Sequence, residues 1–320
     1  MPASAIGSSL QAPFRSRSAP LQCETRRASS RGNLQTRAPF GCLREGQFAT
    51  GRSESGDTDT GIPGEGGACL RNSVVIDCFQ QNREICRHDY AVVAIDVIRA
   101  TTTAITAVAA GWRCFPVPSA EAAVLLQRQL PNCLLAGEVS GDVPQEFELN
   151  NSPAEIAVRE DFHRPLILLS SSGTKLIHAA RECDFVYLAC FRNFLALSQH
   201  LVGRHPRVAL IGAGTRGEFR EEDQICCAWI ARELIDAGYE PEDDRTSSIV
   251  DRWCTATVEA CLVSKSVNYL RRTGQTRDLD FTLEHVNDLP HVFMMRDGEV
   301  VTASTTATAG CNSASALVSR

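Results

Sequence analysis

The stretch Val-Val-Ala-Ile-Asp-Val-Ile-Arg-Ala-Thr-Thr-Thr at residues 92–103 decides the fold of this chain. Its first four residues are apolar and mostly β-branched, as in a strand that is buried on both faces. Asp96 and Arg99 follow that strand, and three threonines that can cap a helix come next. A carboxylate, a guanidinium and a helix N-terminus therefore meet at the carboxyl end of a strand, where open α/β sheets bind ligands. A salt bridge that closes the turn explains the same residues equally well.

Strand-like and helix-like segments alternate from Cys69 onward. Strands are predicted at 73–78, 91–96, 113–117, 133–136, 165–170, 185–189 and 207–212, and helices at 103–110, 119–129, 153–159, 174–182, 193–202 and 222–237. A further helix is predicted over 253–271, and a strand pair at 292–295 and 298–302. This alternation is typical of a three-layer α/β/α fold with a mostly parallel or mixed sheet. Similar turns at 98–103 and 169–174 indicate either two similar βα-rich halves or one turn chemistry used twice.

Residues 1–66 differ in composition from the rest of the chain. They are rich in Ser, Arg, Ala, Gly and Pro, and the first 50 carry seven arginines and two glutamates. This composition predicts a disordered, transit-peptide-like extension that directs the protein to an organelle. A chloroplast is favoured over a mitochondrion because the first ten residues contain no arginine, and a disordered extension on a cytoplasmic protein is the alternative. Residues 67–302 are predicted to form the folded domain and 303–320 a flexible tail.

The composition excludes several classes of partner and site. A net charge of −6 with only two lysines, Lys175 and Lys265, argues against nucleic acid. No apolar run approaches the roughly 20 residues that a membrane span needs. The 14 cysteines are scattered without a C-x-x-C pair, which predicts buried thiols in a reduced compartment rather than a zinc site. A homo-oligomer is compatible with the sequence.

Five predicted loops after strands carry more polar side chains than a structural role requires. They contain Asp96 to Thr103, Gly137 to Pro153, Ser170 to Thr174, Cys190 to Asn193, and Gly212 to Asp223. Carboxylate oxygens without histidine suit Mg²⁺. Arginines, hydroxyls and backbone N–H groups suit a phosphate or sulfonate. The residues alone therefore favour a magnesium-dependent phosphoester hydrolase.

Two other enzyme classes fit less well. The G-x-G-x-x-G pattern at 212–217 follows a predicted strand and invites a dinucleotide. The acidic run at 218–223 would repel a pyrophosphate, and no later strand ends in a ribose-binding acid, so a nicotinamide-dependent dehydrogenase is disfavoured. A haloacid-dehalogenase-type phosphatase needs a second aspartate two residues after the first, and that position is Ile98.

Six motifs together resemble the 2-phosphosulfolactate phosphatase family. They are IDVIRATTT at 95–103, LAGE at 135–138, NSP at 151–153, SGT at 172–174, CFRN at 190–193 and GAGTRGEFREED at 212–223. The resemblance spans about residues 74–301 and implies a magnesium-dependent phosphatase that converts 2-phosphosulfolactate, or a similar phosphorylated 2-hydroxy acid, to 3-sulfolactate and phosphate. The chain has Glu138-Val139-Ser140-Gly141 where the family has Glu-Arg-Gly-Gly, and 146–150 departs from Gly-Phe-Asp-x-Gly. These departures leave a non-catalytic anion-binding protein on the same fold as an alternative.

The resemblance suggests a role for each group of residues. Asp96, Arg99, Glu138 and Arg216 are predicted to be catalytic, and Asp96, Glu138, Glu222 and Asp223 to bind Mg²⁺. The predicted substrate-binding residues are Thr101, Thr102, Asn151, Ser152, Ser172, Gly173, Thr174, Asn193 and Gly214. The two arginines would neutralise charge on the phosphoryl oxygens. The expected ligand is a small, anionic, phosphorylated molecule.

Overall fold

The computed structural model describes residues 71–81 and 89–303. The predicted extension at 1–66 and nearly all of the predicted tail at 303–320 lie outside these residues. The strands are β1 (Ser73–Cys78), β2 (Ala91–Ile95), β3 (Cys114–Val117), β4 (Leu134–Gly137), β5 (Leu166–Leu169), β6 (Phe185–Ala189), β7 (Arg207–Gly212), β8 (Glu240–Pro241), β9 (Phe293–Arg296) and β10 (Glu299–Thr302). The helices are α1 (Ala100–Ala109), α2 (Ala120–Gln127), α3 (Pro153–Ile156), α4 (Gly173–Ala179), α5 (Phe194–Leu201), α6 (Glu221–Asp236), α7 (Asp244–Trp253), α8 (Lys265–Arg272) and α9 (Thr276–Glu284), with 3₁₀ helices at Ala180–Glu182 and Val258–Val263.

The described strands form one mixed sheet in the order β4-β5-β3-β10-β9-β6-β2-β7-β1-β8. Two groups of parallel strands, β4-β5-β3 and β6-β2-β7-β1-β8, lie on either side of the β9–β10 hairpin. The strands β3, β10, β9 and β6 are antiparallel at each successive pairing. The two parallel groups therefore run in opposite directions. The predicted α/β fold with a mixed sheet is confirmed.

Strand β2 is buried on both faces because helices cover both faces of the sheet. Ala91, Val93 and Ile95 pack in a core cluster with residues of α5, α6, α7 and α8. The alternate residues Val92 and Ala94 pack in a second cluster with α1, α3 and α4. Side chains of successive strand residues point to opposite faces, so one apolar run serves two cores. The result is the three-layer α/β/α arrangement.

The predicted helix over 253–271 is wrong. Helix α7 ends at Trp253, and α8 begins at Lys265 after the 3₁₀ helix. Extended backbone at Thr257 interrupts the path, and Ser264 caps α8 by accepting a hydrogen bond from Val267 N at 3.1 Å. Helix α9 was not predicted from the sequence, and of α7 only its last residue, Trp253, lies in a predicted helix. The β9–β10 hairpin is confirmed, with Asp297 and Gly298 at positive φ as a two-residue hairpin turn requires.

The cysteines of the described residues agree with the sequence expectation at all positions but one. Eight are free thiols, and all of these except Cys254 are buried. Cys183 is disulfide-bonded, so the expectation of thiols throughout is wrong there. Separately, none of the helices in the described ranges is both long and apolar enough to cross a bilayer.

Candidate active site

A cavity of about 1150 Å³ is lined by the loops that follow β1, β2, β4, β5 and β7, together with α8. Four of the five polar loops singled out in the sequence reach it, and the loop Cys190 to Asn193 does not. The loops come from both parallel groups of strands, although these groups run in opposite directions. The position of the site therefore depends on how the two groups of strands pack together. It could not be predicted from the strand direction within either group.

The turn after β2 is held together by buried threonine hydroxyls. Thr101 Oγ1 accepts a hydrogen bond from Asp96 N at 2.9 Å and donates to Ala189 O at 2.7 Å. Thr102 Oγ1 donates to Val97 O at 2.7 Å. Both side chains are buried and neither lines the cavity. These hydroxyls bond the backbone that carries Asp96, and the predicted substrate-binding role of the two threonines stays a prediction.

The turn after β5 uses the same kind of bond and touches the turn after β2. Thr174 Oγ1 accepts from Ser170 N at 2.9 Å, and its predicted substrate-binding role stays a prediction. Ser172 lines the cavity, as predicted for a substrate-binding residue. Gly173 does not line it but packs against Asp96: a Cβ added there would lie 2.2 Å from Asp96 Oδ2. Glycine is required at this position because the two turns approach so closely.

Three carboxylates, Asp96, Glu222 and Asp223, are buried beside the cavity at 7%, 1% and 3% exposure. Burial raises the pKa of Asp96 to about 7, and the charges of Glu138 and Glu222 add to the effect. Burial, followed by repulsion from Asp96 and Glu222, raises the pKa of Asp223. Burial also raises the pKa of Glu222, and its Oε2 has no hydrogen-bond partner among the described residues. The cluster is therefore under mutual repulsion.

Glu138 lines the cavity and connects two loops. Its Oε1 accepts from Ser171 N at 2.7 Å, and its Oε2 accepts from Ser171 Oγ at 2.8 Å and from Gly141 N at 2.7 Å. The carboxylate thus binds the loop after β4 to the turn after β5. Among the four predicted metal ligands, Asp223 also has both oxygens engaged by protein donors: its Oδ1 accepts from Val97 N at 2.9 Å and its Oδ2 from Gly214 N at 3.4 Å.

The donor set fits a magnesium ion. Within the described ranges, no group of three or more His, Cys, Asp or Glu side chains is arranged to hold a metal ion by itself. Mg²⁺ usually keeps several waters and takes one or two carboxylates together with phosphate oxygens, so a complete protein cage is not needed. The unpartnered oxygen of Glu222 and the raised pKa values of Asp96 and Asp223 identify a place where a cation would relieve repulsion.

Arg99 lines the cavity, and its salt bridge is to Asp278 on α9 and not, as the alternative from the sequence had it, within the turn after β2. Its Nη1 is paired with Asp278 on α9 and donates to Gln275 Oε1 at 2.6 Å. Ser152 Oγ donates to the same Asp278 at 2.5 Å and caps α3 by accepting from Glu155 N at 3.1 Å. Ser152 does not line the cavity, and its predicted substrate-binding role stays a prediction. Asp278 had no signal in the sequence.

Three further predicted binding residues differ in their surroundings. Asn151 lines the cavity at 2% exposure, and its Oδ1 has no partner among the described residues. Asn193 is fully buried away from the cavity, where it accepts from Cys190 N at 3.0 Å and donates to Leu188 O at 3.1 Å. Gly214 forms a tight turn at φ +62°, with no room for a Cβ beside Cys78 Sγ. Asn193 and Gly214 lie outside the cavity lining, and their predicted binding roles stay predictions.

Basic side chains outnumber acidic ones in the cavity wall. The basic residues are Arg99, Lys175, Arg216, Arg220, Lys265, Arg271 and Arg272, and the acidic ones are Asp96, Glu138 and Glu218. Glu218 pairs with Arg220 and Lys265. Within the part of the chain that the structure describes, Lys175, Arg216, Arg271 and Arg272 have no ion-pair partner. The wall is thus suited to an anion.

The sequence reading singled out Arg216 but missed most of the other cations. The cations of α8 were not predicted as site residues, because the sequence predicted a longer helix across them and did not indicate where that helix would pack. One usable signal existed: the chain has two lysines, Lys175 and Lys265, and both line the cavity. In a chain that otherwise uses arginine, these two positions mark the wall of the site.

Comparison with known proteins gives a consistent family. A family model described as 2-phosphosulpholactate phosphatase matches residues 78–298. A probable 2-phosphosulfolactate phosphatase of Pseudothermotoga lettingae is 37% identical over 144 residues, which cover 45% of this chain and 62% of the relative. Proteins of the same name from Deinococcus radiodurans and Thermus thermophilus are 32% and 34% identical over 195 and 197 residues, covering 59% of this chain and 81% of each relative.

The extent of these matches establishes membership. The chain spans less than two thirds of the length of the Pseudothermotoga relative, whereas the family model covers more than half of the chain. The chain belongs to the 2-phosphosulfolactate phosphatase family.

Proposed function

We propose that this member of the family is a magnesium-dependent phosphatase that hydrolyses the phosphate ester of a 2-hydroxy acid, with 2-phosphosulfolactate as the first candidate substrate. The observation that carries the proposal is the division of charge in one cavity. Buried carboxylates meet at the turn after β2, and cations without ion-pair partners line the same wall. The printed names of the relatives, probable 2-phosphosulfolactate phosphatases, support the choice of substrate.

The cations of the wall would bind the substrate's negative groups. Lys175 lies two residues after Gly173, which packs against Asp96, and it lines the same cavity. Arg216 projects from the loop after β7, and Asp223 accepts from Gly214 N in that same loop. Fixed positive charge at these points stabilises the charge that the phosphoryl oxygens carry during transfer. Their lack of carboxylate partners keeps that charge available.

Asp96, Glu222 and Asp223 would hold Mg²⁺, with Glu138 at the edge of the set. When bound, the ion supplies positive charge to phosphoryl oxygens and orients them. Asp96 lines the cavity and is the carboxylate that would touch the reacting group, while the other two lie behind it. Water adds to phosphorus, the ester P–O bond breaks, and the products are the hydroxy acid and inorganic phosphate.

A phosphate-release assay tests this function. Purified full-length protein is incubated with 2-phosphosulfolactate, 2-phospholactate and phosphoglycolate, each with Mg²⁺ and with EDTA. We expect the fastest release from 2-phosphosulfolactate, loss of release in EDTA, and recovery with added Mg²⁺. Equal rates with and without chelator would contradict the metal requirement. Binding of 3-sulfolactate without release of phosphate from any ester would instead support the non-catalytic alternative.

The cellular location is a separate proposal. The composition of residues 1–66 supports import into a plastid. A fluorescent protein fused after residue 66 should accumulate in chloroplasts, and the same fusion without residues 1–66 should remain in the cytoplasm. Accumulation in mitochondria, or equal cytoplasmic signal from both fusions, would contradict this location.

A further inference from the structure

The buried ion pair between Arg99 and Asp278 joins the candidate site to a distant part of the chain. Asp278 lies on α9, is 3% exposed, and pairs with an arginine that follows β2. Its other carboxylate oxygen, Oδ1, accepts from Ser152 Oγ at 2.5 Å and from Ala154 N at 3.3 Å. One carboxylate therefore holds both the turn after β2 and the start of α3. None of the roles predicted from sequence includes Asp278.

The same network fixes the residues on either side of Asn151. Asn150 Oδ1 accepts from Asn151 N at 2.7 Å and from Arg99 Nη2 at 3.3 Å. Asn150 Nδ2 donates to Gln275 Oε1 at 2.9 Å, and the same Gln275 oxygen accepts from Arg99. On the other side, Ser152 is held by Asp278. The backbone of Asn151 is thus restrained from both directions, while its own Oδ1 is left without a partner.

Asn151 lines the cavity, and its amide oxygen is buried without a hydrogen-bond partner among the described residues. Buried polar atoms nearly always have hydrogen bonds, and exceptions call for an explanation. Because Asn151 lines the cavity, the water that attacks phosphorus, or the hydroxyl of the released 2-hydroxy acid, can supply the missing donor. Such a contact works only if the amide stays in place, since small displacements of positioned groups strongly reduce rates.

We propose that Asp278 is a positioning residue of the active site, which acts by holding Arg99 and the 150–152 loop so that Asn151 faces the substrate. The inference rests on the proposed phosphatase function and deepens it. Asp278 itself does not line the cavity. Arg99, whose charge is matched by Asp278, holds the 150–152 loop in place. The wall cations without ion-pair partners, Lys175, Arg216, Arg271 and Arg272, bind the anion.

A double-mutant cycle tests this route of action. We expect Asp278→Asn and Asn151→Ala each to lower kcat/KM for 2-phosphosulfolactate by about 30-fold to 100-fold. Because the first change acts through the second residue, the double variant should lie within about threefold of the worse single variant. Independent effects that multiply to about 10³-fold or more would overturn the proposal, as would wild-type kcat/KM in Asp278→Asn.

The pair Arg192–Asp288 provides a matched control. Arg192 Nε donates to Asp288 Oδ1 at 3.0 Å and Nη2 to Oδ2 at 2.6 Å, and neither residue lines the cavity. Asp288→Asn also breaks an Arg–Asp pair, one whose side chains are 10% and 32% exposed, so it should lower stability while leaving kcat/KM of the folded protein within about threefold. A loss of kcat/KM equal to that of Asp278→Asn would assign both effects to stability and overturn the proposal.

Two further variants cover the case in which Asp278→Asn does not fold. Ser152→Ala and Gln275→Leu each remove one side of the restraint and leave the ion pair in place. They should lower kcat/KM by about threefold to tenfold, and Asp278→Glu should recover part of the Asp278→Asn loss. All rates are referred to the folded fraction measured by circular dichroism. Unchanged rates in both milder variants would contradict the positioning role.

Anion binding separates this inference from the proposed function. The same cycle is measured by calorimetry with 3-sulfolactate, which has the hydroxyl that Asn151 would accept from but no phosphate. If the wild type hydrolyses no phosphate ester, the phosphatase proposal fails, whereas non-additive losses of 3-sulfolactate affinity in Asp278→Asn and Asn151→Ala still support positioning. Additive losses, or none, overturn it.

Discussion

The turns after β2 and β5 share one local device and differ in what they carry. In each, a buried threonine accepts a hydrogen bond from the backbone N–H of the first residue after the strand: Thr101 from Asp96, and Thr174 from Ser170. The residue at the strand end is a buried carboxylate in one turn and a serine in the other. The first turn therefore holds a buried ionisable group, and the second turn does not.

This difference shows how stability and activity are divided between the turns. The carboxylate of the first turn is buried with two others, and its pKa is raised because the charged form is poorly accommodated. The second turn provides glycine for close approach and a lysine without an ion-pair partner. We infer that the turn after β2 lowers the stability of the fold and takes part in catalysis. The turn after β5 holds no buried carboxylate and contributes one lysine that binds the anion. Four predictions test that division.

The largest expected effect is the loss of activity in Asp96→Asn. The change keeps size and removes charge at the carboxylate that faces the cavity, so phosphate release should fall at least about 10³-fold, or roughly 4 kcal/mol in the barrier. Ser170→Ala, the corresponding change in the second turn, should cost less than tenfold. Steady-state kcat/KM on 2-phosphosulfolactate measures both. Similar losses in the two variants would remove the distinction between the turns.

The same Asp96→Asn variant should be more stable than the parent at alkaline pH. The folded-state pKa of Asp96 is raised from 3.8 to about 7 by burial, so the unfolded chain releases its proton first. Stability contributed by this group is therefore present below about pH 4 and is lost as the pH rises to 7. In EDTA, urea unfolding should show the variant more stable by about 2–4 kcal/mol at pH 8 and equal at pH 4. Ser172→Ala should change stability equally at both pH values, and a variant less stable at pH 8 would contradict the prediction.

The contact between the turns should make Gly173→Ala harmful to both. The added Cβ would lie 2.2 Å from Asp96 Oδ2 and 2.6 Å from Ala100 Cβ. Overpacking of this kind costs about 1–3 kcal/mol, and the displaced carboxylate should lower kcat/KM about tenfold or more. Gly203→Ala is the control, because no atom lies within 4 Å of its added Cβ, although its positive φ makes it mildly strained. If Gly173→Ala had full activity, the close approach would not matter for function.

The smallest expected effects on activity come from removing the threonine hydroxyl that accepts a backbone hydrogen bond in each turn. Thr101→Val and Thr174→Val each leave a buried backbone N–H without its acceptor, which costs about 1–3 kcal/mol. Both should lower the free energy of unfolding by similar amounts. The folded fraction of each should keep kcat/KM within about fivefold, because neither hydroxyl faces the cavity. A loss near 10³-fold in Thr101→Val alone would support the binding role predicted for that threonine.

Much of the fold could be predicted from local patterns. The burial of residues 91–95 on both faces followed from an unbroken apolar run, and the hairpin at 297–298 followed from its Asp-Gly turn. Helix α8 could not be placed, because its start depends on the cap at Ser264 and on what it covers. Helices α7 and α9 are polar and short, so their sequences resemble exposed segments as much as helices.

The residues of the candidate site could also be predicted only in part. Asp96, Arg99, Glu138, Asn151, Ser172 and Arg216 were singled out from sequence and do line the cavity. Thr101, Thr174 and Asn193 have the same residue types beside the same motifs but bond to backbone. A hydroxyl or amide next to a strand end serves the turn or the ligand according to where its hydrogen-bond partners lie, and spacing alone does not report that.

The sequence by itself determined the α/β alternation, the polar ends of the strands and an anion-binding chemistry, because burial and turn hydrogen bonds act over a few residues. Only the tertiary structure decided that two parallel groups running in opposite directions bring their loops to one cavity. It also decided that Gly173 meets Asp96, and that Asp278 pairs with Arg99 across 179 positions. These contacts depend on long-range packing around the β9–β10 hairpin, which no local pattern encodes.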